Sequence, residues 1–217
     1  MTQVLDRRQF LQASAFALLG TAIAACTKDK PKGAPGQPTT TEPTTTSSGA
    51  SPSDVALLKT AASLEALAVG VYQRVAGAAL VKNPAVLDAT TIFMAHHTAH
   101  QMTLNELLRV AEVSAVTAPN GEMDGKIFQP ALAAAKTEDD IIQLLFTLEE
   151  VMAQTYVYSA DVLTMPEHRV AIMTIAGTQA RHRTLLGSVF SGQTVADLFP
   201  SAFAKSNNPL PADAILS

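Results

Sequence analysis

The sequence predicts an all-α fold, a four-helix bundle of two antiparallel hairpins joined by a long crossover. From residue 53 onward, apolar residues recur at helical spacing. Breaks rich in Pro, Gly or Asn divide this pattern into four stretches, and the breaks are short, long and short in turn. Short breaks join antiparallel neighbours, whereas the long one is what a crossover between two hairpins requires.

The ends of the four predicted helices follow from capping residues and prolines. Thr137 is followed by three acidic residues and predicts the start of the third helix, and Pro166 suits the first turn of the fourth. The domain is expected to span residues 53–190, followed by an irregular tail over residues 191–217 that packs across the bundle. The predicted helices run approximately from Ser53 to Lys82, from Pro84 to Glu112, from Thr137 to Met165 and from Pro166 to Phe190.

Residues 1–25 have the features of a signal peptide. Arg7 and Arg8 precede a modestly apolar stretch of small residues, which is too weakly apolar for a membrane-spanning helix of about 20 residues. The segment from Asp6 to Leu11 resembles a twin-arginine export signal, although paired arginines also serve the general secretory route. Both export routes therefore remain open at this point.

Cys26 is the only cysteine of the chain and follows the signal peptide directly. The segment Ile23-Ala24-Ala25-Cys26 resembles a lipoprotein processing box, in which the cysteine becomes the acylated first residue. An ordinary cleaved signal peptide with a chance cysteine is the alternative. Residues 26–52 then comprise the lipidated cysteine and a linker rich in Thr, Pro and Ser, which has too little apolar surface to fold.

These features predict where the protein is and what it contacts. We expect it to be exported and anchored through Cys26, on the outer face of the cytoplasmic membrane or in the periplasm. The formal net charge is −4 and no basic run is present, which argues against a nucleic-acid partner. No motif indicates a protein partner. A monomer or dimer is expected, and a cage is not expected for a tethered chain.

The two predicted hairpins resemble each other in their polar residues. Glu65 in the first helix and Glu149 in the third are each followed seven residues later by a tyrosine, Tyr72 or Tyr156. The second helix carries His97-x-x-His100, and the fourth carries Gln179-x-x-His182. Matched polar residues in otherwise apolar helices indicate a shared internal site.

Helical periodicity predicts that this site points inward. The neighbours of Glu65 and Glu149 at three, four and seven residues are all apolar or aromatic, which places both carboxylates on the core stripe. Buried carboxylates are costly unless they are paired or bound to metal. By the same reasoning Glu150 is expected to face solvent and His168 to be exposed, whereas His96 is ambiguous between the core edge and the surface.

In these positions the sequence resembles the ferritin-like di-iron carboxylate superfamily. That family uses one glutamate from each of two helices and Glu-x-x-His from each of the other two. The resemblance implies that Glu65 and Glu149 match the single glutamates, and that His100 and His182 match the histidines. His97 and Gln179 stand where the family has its bridging glutamates, so two of the four negative charges that balance two Fe²⁺ ions are missing.

The resemblance implies a bundle that binds one or two transition-metal ions, with possible redox or oxygen and peroxide chemistry. Iron is the metal that the family favours, and the ligand set also suits Mn²⁺, Zn²⁺ or Cu²⁺. Tyr72 and Tyr156 would lie beside the ligands or simply pack in the core. Two alternatives remain: a metal-free structural or interaction module with a remnant polar core, and a protein that captures or delivers metal. The expected ligands are Glu65, His97, His100, Glu149, Gln179 and His182.

Overall fold

The computed structural model describes residues 50–190, 194–198 and 209–217. The predicted signal peptide, Cys26 and nearly all of the linker lie outside the described residues.

Four long helices form the body of the described chain. These are α1 (Pro52–Gly77), α2 (Pro84–Val110), α5 (Glu138–Val162) and α6 (Pro166–Val189). Between α2 and α5 lie α3 (Gly121–Met123), a π-helical segment (Asp124–Phe128) and α4 (Gln129–Ala134). The tail contains α7 (Val195–Leu198) and a 3₁₀ turn (Ala212–Ala214). The described ranges contain no strand, and the predicted all-α fold with short, long and short connections is confirmed.

Side-chain caps fix where the long helices begin. The side chain of Ser51 accepts a hydrogen bond from the Asp54 amide at the start of α1, and Asn83 caps α2 in the same way. Thr137 caps α5 in a reciprocal capping box with Asp140, which also carries negative charge at the positive end of the helix. The predicted start at Thr137 is therefore the N-cap residue itself.

Three of the helices end earlier than the sequence predicts. Ala79, with φ of 54°, and Glu112, with φ of 60°, adopt the left-handed conformation that ends a helix. The Val113 amide then donates to the Leu108 carbonyl at 2.8 Å, which closes the end of α2 in the Schellman pattern. The third helix ends at Val162 rather than Met165: Leu163, with ψ of 137°, and Met165, directly before Pro166 and with ψ of 128°, both have extended backbone.

Two contacts establish the direction of the helices. Glu138 at the start of α5 accepts hydrogen bonds from the Lys82 and Asn83 amides, so α5 begins beside the α1–α2 turn. Asp54 at the start of α1 accepts from the Thr164 amide at 3.0 Å, so α5 ends beside the beginning of α1. Consequently α1 and α5 are antiparallel, and the crossover between α2 and α5 runs the length of the bundle.

The crossover and the described end of the tail lie on α1 and α5. Asn120 in the crossover donates from its backbone amide to the Ser63 carbonyl and from its side chain to the Ala214 carbonyl. In the tail, the Leu216 amide donates to Thr60 Oγ1 and the Leu210 amide donates to Thr155 Oγ1, both at 2.9 Å. Each hydroxyl also donates to a carbonyl of its own helix, so the tail amides use the remaining acceptor capacity of two buried threonines.

Apolar side chains from all four long helices fill the core. Helix α1 contributes most, and 61% of its most apolar 18-residue window is buried inside the protein. By length and composition alone, this helix could cross a membrane. The buried central helix of a bundle meets the same two criteria. The largest fully buried side chains are Tyr72, Tyr156, Phe128, Leu58, Leu64, Leu67, Leu104, Leu108, Ile141, Leu145, Leu148 and Met152.

Candidate metal centre

Two glutamates occupy the middle of the bundle, one on α1 and one on α5. Glu65 and Glu149 are both 0% exposed. Each accepts a hydrogen bond from the tyrosine of the other hairpin: Tyr156 donates to Glu65 Oε1 at 2.7 Å, and Tyr72 donates to Glu149 Oε1 at 2.6 Å. Because α1 and α5 are antiparallel, the glutamate of each helix lies opposite the tyrosine of the other. The equal seven-residue spacing on both helices allows the two pairs to form together.

The imidazole of His97 on α2 lies between the two carboxylates. Its Nδ1 is 2.7 Å from Glu65 Oε2 and its Nε2 is 3.0 Å from Glu149 Oε1. Tyr72 stacks on the imidazole with 5.3 Å between ring centroids, and the His97 side chain is fully buried. Since an ionised carboxylate only accepts hydrogen bonds, both ring nitrogens donate when the two glutamates are charged.

His100 and His182 approach one glutamate each. His100 Nδ1 lies 3.6 Å from Glu65 Oε2, and His182 Nδ1 lies 3.3 Å from Glu149 Oε2. The side chain of Gln179 donates through Nε2 to Glu65 Oε1 at 3.0 Å. All six of the ligands expected from the sequence therefore lie together at the centre of the bundle.

His96 joins this cluster although the sequence left its place open. Its Nδ1 lies 2.9 Å from His182 Nε2. His182 therefore contacts Glu149 through Nδ1 and His96 through Nε2. The His182 ring stacks on Phe93 with 3.7 Å between ring centroids, and it is nearly parallel to the His96 ring, whose centroid is 5.1 Å away. His96 is itself exposed, and its contact with another helix could not be read from the period of α2.

Burial and charge act in opposite directions on the central groups. Burial alone would lower the pKa of His97, but the Glu149 and Glu65 carboxylates outweigh it and raise that pKa to about 10. Burial likewise favours neutral Glu149, yet the His97 charge and the hydrogen bonds from His182 and His97 lower its pKa to about 2. The pKa of Glu65 is also lowered against its burial, chiefly by the charge of His97.

The two tyrosines are held neutral. Burial raises the pKa of Tyr72 and of Tyr156 well above 10, and the adjacent carboxylate of Glu149 or Glu65 raises it further. Both phenols are therefore donors to the carboxylates, and they fix the direction in which the free carboxylate oxygens point.

The donor atoms form two groups that could each hold one ion. One group comprises Glu65, His97 and His100, the other His97, Glu149 and His182, and the donor atoms within each lie within 4.8 Å of one another. Each group offers two imidazoles and one carboxylate, a set used by Fe²⁺ and Zn²⁺ sites. His97 belongs to both groups. The sequence indicated His97 as a ligand, but not that two groups would share it.

Two expectations for polar residues outside the predicted ligand set were wrong. His168 was expected to be exposed, but it is 4% exposed and its Nδ1 lies 2.9 Å from Asp54 Oδ2. Glu150 was expected to face solvent, but it is half-buried and pairs with Arg183 on α6. In both cases the partner comes from a different helix, so the periodicity of the residue's own helix does not reveal it.

A comparison with protein-family models decides the affiliation of the domain. Residues 53–191 match the model described as a ferritin-like domain. The chain belongs to the ferritin-like family. The predicted ferritin-like four-helix bundle is thereby confirmed. No curated protein and no solved structure matches this chain significantly.

The site of this ferritin-like domain departs from the di-iron pattern at two places. The resemblance implies that His97 and Gln179 stand where that pattern has its second pair of glutamates. The departures are not equivalent in space. His97 reaches both glutamates, whereas the Gln179 amide reaches Glu65 Oε1 and lies 3.4 Å from His97 Nδ1.

Proposed function

We propose that this ferritin-like domain binds transition-metal ions at the centre of its bundle, as part of a lipoprotein anchored to the membrane. The observation that supports the proposal most directly is the pair of buried groups, each with one glutamate and two histidines whose donor atoms lie within 4.8 Å of one another. Buried carboxylates at the meeting point of four helices are costly, and metal binding offsets that cost.

Two buried atoms without a hydrogen-bond partner support a fit between this site and a metal. Among the described residues, His100 Nδ1 and Gln179 Oε1 are both buried and have no hydrogen bond. Orphaned polar atoms inside a protein are rare and require an explanation. A nitrogen and an oxygen beside two carboxylates supply the mixed donors that suit Fe²⁺, Mn²⁺, Zn²⁺ or Cu²⁺, and family membership favours iron.

The residues of the chain would hold and shield such an ion. Glu65, Glu149 and the three histidines at 97, 100 and 182 would bind it, while Tyr72 and Tyr156 orient the carboxylates. A redox-active ion held there would supply electron transfer or the activation of oxygen or peroxide. His100 is 16% exposed and His96 is exposed, so this face of α2 is where the site approaches solvent.

Metal content tests the proposal directly. The full chain is purified and its bound metal measured by mass spectrometry, before and after incubation with Fe²⁺, Mn²⁺, Zn²⁺ and Cu²⁺. At least one ion per chain is expected, and the Glu65→Ala/His182→Ala variant should lose it. Glu106→Ala/Thr98→Ala, which alters two exposed residues of α2, serves as the matched control. A stable helical protein that takes up none of the four metals contradicts the proposal.

A metal-free structural core is the second candidate, and one specific observation favours it. His97 already donates to both Glu65 and Glu149, so its one positive charge cancels one of the two negative charges without any ion. Such a core would fix the register of the two hairpins against each other. It predicts that a chelator changes neither the helical content nor the melting temperature, whereas loss of a bound ion lowers the melting temperature.

The membrane anchor is proposed from the sequence alone. Cys26 follows a signal peptide and precedes a Thr/Pro/Ser linker of the kind that separates a domain from a lipid surface. The protein would then work on the outer face of the cytoplasmic membrane or in the periplasm. Export as a folded, metal-loaded protein through the twin-arginine route agrees with a metal site.

A further inference from the structure

His97 belongs to both of the donor groups, and its two ring nitrogens face in opposite directions. Nδ1 meets the group of Glu65 and His100, and Nε2 meets the group of Glu149 and His182. The ring cannot turn away, because Tyr72 stacks on it and the side chain is fully buried. A single imidazole therefore presents one donor atom to each group.

The donor atoms within each group lie at hydrogen-bond distances or slightly beyond, and these distances are also close to the separations between ligands of one ion. Two donors that each bind an ion at about 2 Å lie roughly 3 Å from each other. His97 Nδ1 and Glu65 Oε2 are 2.7 Å apart, and His97 Nε2 and Glu149 Oε1 are 3.0 Å apart. The third donors, from His100 and His182, lie 3.6 and 3.3 Å from their glutamates.

We propose that His97 bridges two metal ions as an imidazolate, with one ion on Nδ1 and the second on Nε2. This inference rests on the proposed metal-binding function and specifies its nuclearity. In the metal-free arrangement His97 carries a proton on each nitrogen, and each ion takes the place of one of them. Both protons leave to solvent, and no electron is transferred.

The charge balance favours a bridge of this kind. Two divalent ions bring four positive charges, of which Glu65 and Glu149 cancel two. An imidazolate cancels a third, whereas a neutral histidine would leave two positive charges in a buried core. The chain lacks the second pair of glutamates, so His97 is the group that can supply the additional negative charge at the place where both ions would lie.

Gln179, at the corresponding position of the second hairpin, does not share this property. Its amide lies within hydrogen-bond distance of Glu65 and His97, and among the described residues it has no hydrogen bond to Glu149 or His182. An amide also does not lose a proton under ordinary conditions. The bridging role therefore falls on one of the two positions, not on both.

Loading with Cu²⁺ tests the bridge, because two Cu²⁺ ions joined by an imidazolate couple their spins and lose their electron paramagnetic resonance signal at low temperature. The full chain is titrated with Cu²⁺, and bound copper and signal intensity are measured together. We expect two copper ions per chain, with a signal well below that of two isolated ions. His97→Gln should restore a signal equal to the copper that remains bound, and Thr98→Ala should behave as the parent.

The possible outcomes separate the bridge from the metal site itself. One copper per chain, or two with full signal intensity, overturns the bridge while leaving metal binding intact. A coupled pair that persists in His97→Gln overturns it too. No uptake of copper or of any other ion overturns the proposed function. If His97→Gln does not fold, the stoichiometry and signal of the parent protein decide alone.

Discussion

Two tyrosines hold the buried glutamates from opposite hairpins. Tyr72 of α1 donates to Glu149 of α5, and Tyr156 of α5 donates to Glu65 of α1. A hydrogen bond to a charged acceptor contributes about 1.5–3 kcal/mol to stability. The bond is electrostatically stronger in the protein interior than in water. Each phenol thus stabilises a buried charge and joins the hairpins.

Removing one phenol oxygen should weaken the bundle without changing its shape. We expect Tyr72→Phe to lower the free energy of unfolding by about 2 kcal/mol, because Glu149 Oε1 loses its shortest hydrogen bond. Urea unfolding followed by circular dichroism measures the change. Tyr158→Phe is the matched control, since Tyr158 is 46% exposed, and it should stay within about 0.5 kcal/mol of the parent. Equal effects of the two substitutions would contradict the role of Tyr72.

The charge state of the central trio predicts how stability depends on pH without metal. His97 holds its proton more tightly when folded, so its contribution is complete below pH 6.5 and is lost as pH rises toward about 10. Glu149 holds its proton less tightly when folded, so its contribution is present above pH 4.5 and is lost as pH falls toward about 2. Stability should therefore be greatest between about pH 4.5 and 6.5.

Urea unfolding from pH 4 to 10 in the presence of a chelator measures this dependence. His97→Gln should flatten the fall above pH 6.5, because the variant has no proton to lose at that position. A parent protein whose stability is constant across that range contradicts a protonated His97 between the two glutamates.

At the scale of secondary-structure elements, Asp54 ties the first turn of α1 to the α5–α6 turn. Its carboxylate accepts from the Thr164 and Met165 amides and lies 2.9 Å from His168 Nδ1. These bonds lower the pKa of Asp54 against its burial. The contact fixes the start of α1 relative to the α5–α6 turn. We expect it to help keep the site residues of these three helices in register along the bundle.

Asp54→Ala should therefore be among the more damaging substitutions far from the site. It leaves the Thr164 and Met165 amides and the buried His168 without their acceptor, and we expect a loss of about 3 kcal/mol in the free energy of unfolding. Asp88→Ala, at an exposed position of α2, should change stability by less than about 0.5 kcal/mol. Thermal unfolding of both variants checks the difference, and similar melting temperatures would disprove the role given to Asp54.

The order of the long helices and the polar repeat could be predicted from the sequence, because both depend on local periodicity. Glu65 and Glu149 were expected on the core stripe, and both are fully buried. The burial of His168 could not be predicted, because its partner Asp54 is 114 residues away. The position of His97 between both glutamates likewise depends on how the hairpins dock.

For the whole molecule, the proposed anchor at Cys26 would place the domain beside a membrane, and this is testable. Cys26→Ser should move the protein from the membrane fraction to the soluble exported fraction and abolish incorporation of labelled fatty acid. Ser48→Ala, in the same linker, is the control and should remain in the membrane fraction. Immunoblotting of cell fractions measures both. A Cys26→Ser protein that stays in the membrane fraction would show that another segment anchors the chain.

The crosswise pairing of tyrosines and glutamates has the form that a two-fold axis produces from two copies of one hairpin. A symmetric pair of such hairpins would duplicate every residue, including His97, and would bring two imidazoles toward the one space between the carboxylates. A chain with both hairpins joined covalently escapes this constraint and can place a histidine on one side and Gln179 on the other. The crossover thus does more than connect the halves. It permits an asymmetric centre in a nearly symmetric frame, which a homodimer of hairpins could not encode.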